Sequence, residues 1–335
     1  MSTPGACILG VEGTTLNAEE RAFLQAARPF GFILFSRNVD TPDQVRALCA
    51  DLRDATGEQT PILIDQEGGR VQRLRGPVWR EWLPPLEQVM LAGPDAGEAM
   101  YARYRIIADE LRDVGIDANC APLVDLVSPD THHFLKDRCY GESPEQVGAV
   151  GRAVAQGLSD GGVLPVVKHV PGHGRAKVDS HHSLPVVETA KEPLSEHDFV
   201  PFKALSDLPM AMTAHIVFSS LDDRPATLSP TVIDYIRREL HLDGLLMTDD
   251  ISMKALQGGI GDLTSQALEA GCDVVLHCNG NLEEMREVAY RAGWLQDEAW
   301  QRAEAVHAAR QPAQEVDIPE LEAKLARLLR RTLHD

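Results

Sequence analysis

Eight short apolar segments, each followed by a polar or ionisable residue, constrain the fold of this chain more than any other feature of its sequence. Amphipathic segments with apolar residues at helical spacing lie between them, an alternation typical of β/α units and a parallel sheet. We predict strands at Cys7–Val11, Phe32–Phe35, Ile62–Ile64, Asn119–Val124, Val163–Val167, Met210–Ala214, Leu245–Thr248 and Asp273–Leu276. We predict helices at Asn17–Ala27, Pro42–Ala55, Ala96–Val114, Pro144–Ser159, Ser229–Leu240 and Leu263–Ala270, with Asn17 and Ser143 as N-caps.

The residues that follow the strands favour a closed barrel. They are Glu12, Ser36-Arg37-Asn38, Asp65-Gln66-Glu67, Asp125, Lys168-His169, His215, Asp249-Asp250 and His277. A (β/α)8 barrel of the TIM type builds its active site from the C-terminal ends of its strands, and a doubly wound open sheet is the competing arrangement. Further helices are predicted at Leu282–Ala292, Asp297–Arg310 and Ile318–Leu333, packed on the barrel, so we expect residues 1–335 to form a single domain.

Composition excludes several classes of function. The chain has 335 residues, of which 44% are hydrophobic, and a formal charge of −19 without a basic run, which argues against binding to nucleic acid or an anionic membrane. No apolar stretch reaches the roughly 18 residues of a membrane span, and no basic segment precedes the first apolar run. We therefore expect a cytoplasmic protein. Four of the six scattered cysteines lie in or beside apolar strand-like runs, which predicts reduced, buried thiols there, and the spacing shows no disulfide framework.

A long polar connection follows the fifth predicted strand, from Lys168 to Pro185. Pro171, Gly172 and Gly174 exclude regular structure there, and we predict no helix before about Ser195. Connections longer than roughly 12–15 residues are usually functional or disordered. Four histidines, two lysines and an aspartate favour a functional loop.

Several long motifs resemble the bacterial β-N-acetylglucosaminidases of glycoside hydrolase family 3. They are Lys168-His-Val-Pro-Gly-His-Gly, Asp179-Ser-His181, Ile64-Asp65-Gln-Glu-Gly-Gly-Arg70-Val-Gln-Arg73, Met212-Thr-Ala-His215, Pro225-Ala-Thr and Met247-Thr-Asp249-Asp250-Ile-Ser-Met253. The single-domain length is similar to that of the short cytoplasmic members that recycle cell-wall fragments. The resemblance implies cleavage of N-acetylglucosamine (GlcNAc) from 1,6-anhydro-N-acetylmuramoyl (1,6-anhydroMurNAc) peptides with retention of configuration, and it implies no metal or other cofactor.

The resemblance makes Asp249 the nucleophile. A carboxylate at the mouth of the seventh strand suits this role, because retaining hydrolysis forms a glycosyl-enzyme bond. Successive strand residues point in opposite directions, so only one of Asp249 and Asp250 can face the barrel axis. The resemblance makes His181 the acid/base and Asp179 its orienting partner. The pKa of histidine suits a residue that must both donate and accept a proton near neutral pH. His182, directly after His181, remains an alternative proton-transfer group.

The sugar ligands implied by the resemblance are Asp65, Arg73, Arg138, Lys168 and His169. A carboxylate can accept hydrogen bonds from two sugar hydroxyls, and the cations donate to hydroxyl or amide oxygens. For each of these residues the alternative is a salt bridge that only holds loops together.

Three other functions remain open at this point. The histidines 169, 173, 181, 182, 215 and 277, with nearby aspartates, are candidate ligands of a metal-dependent barrel hydrolase, although no HxH or HExxH pairing supports a metal. Phosphate in place of water would make the protein a glycoside phosphorylase, and a protein that only binds sugar is the third possibility. We expect a small carbohydrate or muropeptide as substrate, and a monomer or weak dimer.

Overall fold

Eight parallel strands form the central sheet of the computed structural model, which describes residues 3–178, 180 and 183–331. In that part of the chain the strands are β1 (Gly5–Gly10), β2 (Pro29–Leu34), β3 (Ile62–Ile64), β4 (Ala118–Asn119), β5 (Leu164–Val170), β6 (Val186–Val187), β7 (Met210–Thr213), β8 (Val217–Phe218), β9 (Leu245–Met247) and β10 (Val275–His277). The sheet order is β10-β1-β2-β3-β4-β5-β7-β9, and β6 pairs with β8 separately. A parallel bridge between Met247 and Val274 joins the two edge strands, so the sheet closes as the predicted (β/α)8 barrel.

Helices surround the barrel. They are α1 (Ala18–Ala27), α2 (Pro42–Thr56), α3 (Pro85–Ala92), α4 (Ala96–Asp113), α5 (His133–Lys136), α6 (Pro144–Asp160), α7 (Lys191–Pro193), α8 (Val200–Lys203), α9 (Pro230–Arg238), α10 (Ile260–Ala270), α11 (Leu282–Ala292), α12 (Asp297–Ala308) and α13 (Ile318–Arg331). The Asn17 side chain accepts the Glu20 N–H at the start of α1, and Ser143 accepts the Gln146 N–H at the start of α6. Both predicted N-caps are confirmed. None of the described helices is long and apolar enough to cross a membrane.

The strands bury side chains on both faces, as barrel geometry requires. In β1, Ile8 belongs to the cluster inside the barrel, whereas Cys7 and Leu9 belong to the layer between sheet and helices. Ala303 and Val306 of α12 join the inner cluster, so this helix covers the N-terminal end of the barrel and leaves the C-terminal end open. All six cysteines are buried and free, whereas burial was predicted for only four of them.

Several predicted boundaries were wrong. The fourth strand ends at Asn119 instead of Val124, since Pro122 has no N–H for a ladder hydrogen bond. The eighth begins at Val275 instead of Asp273. The Asp273 carboxylate instead accepts the Leu246 N–H and binds two arginines.

The fifth strand also differs from its prediction. It continues to Val170, so that Lys168 and His169 lie within it. The helix expected from about Ser195 begins at Lys191 and continues as a π-helical turn over Leu194–Asp198. The strands β6 and β8 and the helix α3 were not predicted.

Candidate active site

A small cavity of about 240 Å³, lined by both charged and apolar side chains, opens at the C-terminal ends of the barrel strands. Its wall contains Asp249 and all five predicted sugar ligands, Asp65, Arg73, Arg138, Lys168 and His169. Ligand sites for drug-sized molecules are typically about 300–1,000 Å³, so this cavity suits a single small ring. Asp179, His181 and His182 lie outside the described residues.

Asp65 connects two of the predicted ligands at the end of β3. Its Oδ2 accepts a hydrogen bond from Arg73 Nη2 at 3.0 Å, and its Oδ1 accepts one from Lys168 Nζ at 2.9 Å. Burial raises the pKa of Asp65, but the attraction of Lys168 and Arg73 outweighs burial and holds that pKa well below its usual range. Asp65 is therefore ionised at neutral pH. Gln66 fixes the loop that carries Arg73, because its Oε1 accepts the Arg73 and Leu74 N–H groups.

Glu67 lies behind this pair and was not among the predicted site residues. Its carboxylate accepts two hydrogen bonds from Arg138, at 2.9 and 2.8 Å, and lies 2.6 Å from Lys168 Nζ. Burial raises the pKa of Glu67, yet Arg138 and Lys168 lower it to about 2. In turn, burial lowers the pKa of Lys168, but Asp65 and Glu67 raise it above its usual range. Glu67 follows Asp65 by two residues, and this spacing can place two side chains on the same face of a strand. The spacing was therefore the feature of the sequence that could have predicted Glu67 as a site residue.

Asp125 fixes the start of the polar loop and was also missing from the predicted site. It is fully buried, and its Oδ2 lies 2.7 Å from His169 Nδ1 while its Oδ1 accepts the His173 N–H at 2.6 Å. Burial raises the pKa of Asp125, but His169 and His173 lower it, so the group is ionised. Because a carboxylate can only accept, Nδ1 carries the His169 ring proton. Burial and the nearby His169 lower the pKa of His173 to about 4, so His173 is neutral at pH 7.

The neighbouring aspartates after β9 have different surroundings. The Asp250 carboxylate accepts hydrogen bonds from the Ser252 N–H and hydroxyl and from the Cys278 N–H. Asp249 Oδ1 accepts the Asp250 N–H at 2.8 Å. Both aspartates line the cavity, so the expectation that only one of them faces the barrel axis was wrong. The strand ends at Met247, and the alternation of side chains along a strand therefore does not extend to them. The carboxylate of Asp250 thus holds together the ends of two neighbouring strands, β9 and β10.

Aromatic and sulfur-containing side chains complete the wall of the cavity. Phe35, Phe134, Met212 and Met253 line it alongside the charged groups. Arg73 lies 5.1 Å from the centre of the Phe35 ring, and Arg70 lies 3.7 Å from that of Phe134. Among the described residues, no group of three or more His, Cys, Asp or Glu side chains is arranged to hold a metal ion.

The barrel and this one-ring cavity, with carboxylates and fixed cations around it, define an enzyme that acts on a small polar molecule. The chain belongs to glycosyl hydrolase family 3, since the model of that family's N-terminal domain matches residues 7–307. It is a glycoside hydrolase of the β-N-acetylhexosaminidase type, which confirms the resemblance found in the motifs.

Relatives of known function and solved structures agree with this family. The β-hexosaminidase of Methylococcus capsulatus is 40% identical over 273 residues, which cover 80% of each chain. That of Alkalilimnicola ehrlichii is 38% identical over 82% of this chain and 81% of its own. The structure of native NagZ from Neisseria gonorrhoeae superposes with a TM-score of 0.84 at 29% identity and covers 98% of both chains. A family 3 β-N-acetylglucosaminidase from Paenibacillus gives a TM-score of 0.84 at 30% identity, over 98% of this chain and 66% of that one.

Proposed function

We propose that this enzyme is a retaining exo-β-N-acetylglucosaminidase that works through a covalent glycosyl-enzyme on Asp249. Its substrates are 1,6-anhydroMurNAc muropeptides, from which it removes terminal β-linked GlcNAc during peptidoglycan recycling in the cytoplasm. The observation that carries the proposal is that Asp249 lines the same cavity as Asp65, Arg73, Arg138, Lys168 and His169. The resemblance of the motif Met247–Met253 selects Asp249 of the pair, and the neighbouring Asp250 carboxylate accepts hydrogen bonds from Ser252 and Cys278.

The first chemical step forms the glycosyl-enzyme. The terminal sugar lies among Asp65, Lys168 and Arg138, whose fixed charges accept from or donate to its polar groups. One carboxylate oxygen of Asp249 attacks the anomeric carbon, and the glycosidic bond breaks as His181 gives its proton to the departing oxygen. Asp179 orients the His181 ring.

The second step reverses these roles. His181, now neutral, takes a proton from water while that water attacks the anomeric carbon and releases Asp249. Two displacements on opposite faces return the sugar with its original β configuration. No step requires a metal ion.

We further propose that residues 1–335 form one catalytic domain. Leu321, Leu325 and Leu328 of α13 belong to the same core cluster as residues of the barrel strands and of α4. Ion pairs from Glu322 to Arg80 and from Lys324 to Glu98 support this arrangement.

Comparison of two chromogenic substrates tests the function. The enzyme should hydrolyse an aryl β-N-acetylglucosaminide and leave the corresponding aryl β-glucoside largely intact, with or without a chelator. Equal activity on both substrates would contradict the N-acetyl specificity, and loss of activity with chelator would favour a metal-dependent hydrolase. With phosphate present, the products should contain free GlcNAc and no sugar phosphate. Formation of a sugar phosphate would instead identify a phosphorylase.

The natural substrate requires a separate assay. GlcNAc-1,6-anhydroMurNAc, with and without its peptide, should release GlcNAc in the β configuration when the reaction is followed by proton NMR. An α product at early times would contradict the covalent mechanism.

A further inference from the structure

We propose that Glu67 is a positioning residue of the sugar site, whose carboxylate holds Lys168 and Arg138 in the orientations in which they bind the sugar. This inference rests on the proposed function, because it takes Lys168 and Arg138 as sugar ligands.

Glu67 acts from behind the cavity wall. Its side chain is 1% exposed and does not line the cavity, whereas Arg138 and Lys168 both line it. The Arg138 guanidinium donates to both carboxylate oxygens, and Lys168 Nζ approaches Oε1 at 2.6 Å. A two-pronged arginine–carboxylate contact fixes the direction of the guanidinium plane as well as its position.

The main chain of Glu67 is itself held firmly. Its carbonyl accepts hydrogen bonds from the buried Arg103 guanidinium and from the Tyr104 hydroxyl, and its N–H donates to Val71 O at 2.9 Å. Gly68 has a φ of 108°, and Arg103 Nη2 lies 1.7 Å from the point that a β-carbon would occupy there. The neighbouring backbone is therefore built to let Arg103 reach Glu67.

The charges around Glu67 are the reason to expect an effect from a neutral side chain at this position. Lys168 is 2% exposed and Arg138 is 7% exposed at the side chain, so water does not solvate either cation well. Asp65 remains as a partner for Lys168 when Glu67 is removed, whereas the Arg138 guanidinium donates hydrogen bonds to Glu67 alone within the described part of the chain. A buried cation that loses its carboxylate moves toward any other acceptor or toward water.

The test compares Glu67→Gln with wild type on an aryl β-N-acetylglucosaminide. We expect kcat/KM to fall by roughly 10- to 100-fold, the usual effect of hydrogen bonds to charged groups. Most of the loss should appear in KM, and the inhibition constant of free GlcNAc should rise in parallel. A KM and an inhibition constant equal to those of wild type would overturn the proposal.

Glu110→Gln is the matched control. Glu110 is also a largely buried carboxylate, 9% exposed, that pairs with an arginine, Arg80, at 2.7 Å, and it does not line the cavity. Glu110→Gln should leave KM unchanged. A similar rise of KM in Glu110→Gln would mean that any buried carboxylate gives the effect, and would also overturn the positioning role.

Two further variants keep the proposal testable if Glu67→Gln does not fold. Glu67→Asp keeps the charge on a shorter side chain, so it should fold and show an intermediate rise in KM. An unchanged KM in this variant would contradict the positioning role. In the Lys168→Met background, Glu67→Gln should raise KM by a smaller factor than it does in wild type, because one of the two cations that Glu67 holds is gone.

The same assay separates this inference from the proposed function. Wild type that fails on the aryl β-N-acetylglucosaminide would refute the proposed function, whereas active wild type with an unaffected Glu67→Gln variant refutes this inference alone.

Discussion

His215 Nε2 lies 2.9 Å from the main-chain carbonyl oxygen of Asp250, and this contact ties the loop after β9 to the end of β7. A carbonyl only accepts, so Nε2 carries a proton, and Nδ1 lies 2.8 Å from the Thr227 hydroxyl oxygen. His215 is fully buried and contacted through both ring nitrogens, so the orientation of its ring is fixed. Asp249, the proposed nucleophile, directly precedes the residue whose carbonyl His215 contacts.

We predict that His215→Ala lowers kcat by roughly 10- to 100-fold, because small displacements of a reacting group have effects of that size. KM should change much less, since His215 does not line the sugar cavity. Steady-state kinetics on the aryl β-N-acetylglucosaminide measure both constants. His197→Ala, at a half-exposed histidine, is the control and should behave like wild type. An unchanged kcat in His215→Ala would show that the loop holds its position without the histidine.

The assignment of Asp249 is tested by trapping the intermediate. A 2-fluoro glycosyl fluoride analogue slows hydrolysis of the glycosyl-enzyme, so the protein should gain the mass of one sugar. Peptide mapping by mass spectrometry should place the label at Asp249, and Asp249→Ala should lose activity by on the order of 10⁴-fold or more. A label on Asp65 or Asp125 would contradict the assignment.

The acid/base role of His181 is tested by the leaving group. A sugar alkoxide needs a proton to depart, whereas nitrophenolate leaves without one. In single-turnover experiments, His181→Ala should therefore lose about 10²–10⁴-fold more activity on a disaccharide than on the nitrophenyl glycoside. Azide, which needs no general base, should accelerate breakdown of the intermediate. If His182→Ala shows the selective loss instead, the second histidine of the pair is the acid/base.

The lowered pKa of Glu67 should make the free energy of unfolding fall at acid pH. Its pKa is about 2 in the folded protein, against an ordinary value of 4.5, so its contribution to stability is complete above about pH 5 and disappears as pH falls toward 2. A shift of this size corresponds to roughly 3 kcal/mol at most. Urea unfolding from pH 5 to pH 2 should therefore show a steeper loss of stability for wild type than for Glu67→Gln. Parallel curves for the two proteins would contradict the pKa assigned to Glu67.

The sequence predicted the barrel because the alternation of apolar strands and amphipathic helices is a local signal. Strands such as Ile62–Ile64 were placed correctly by it. The two-residue strands β6 and β8 and the inserted helix α3 escaped prediction, since elements that short carry too few residues to show a period. The predicted fourth strand was too long for a similar local reason, because Pro122, which lies beyond the end of β4, stands in an otherwise apolar run.

The lining of the cavity was more predictable than the residues behind it. Asp65 and Lys168 were recognised because their motifs carry the family resemblance. Glu67 and Asp125 were visible only as strand-end acids, because their roles depend on partners 71 and 44 residues away in the chain, Arg138 and His169. Such pairing depends on how the barrel closes, which no local pattern reveals.

Two loops of this barrel are joined in a way that limits how the enzyme can evolve. Besides the Asp125–His173 contact, Gly174 O accepts a hydrogen bond from the Thr131 hydroxyl, and Ala176 O accepts the His132 N–H. The start of the loop that leads to Asp179 and His181 is thus held by hydrogen bonds to the loop after β4. An insertion or deletion in either loop displaces the other, so natural variation in their lengths should occur in compensating pairs, and grafts between relatives should exchange both loops together.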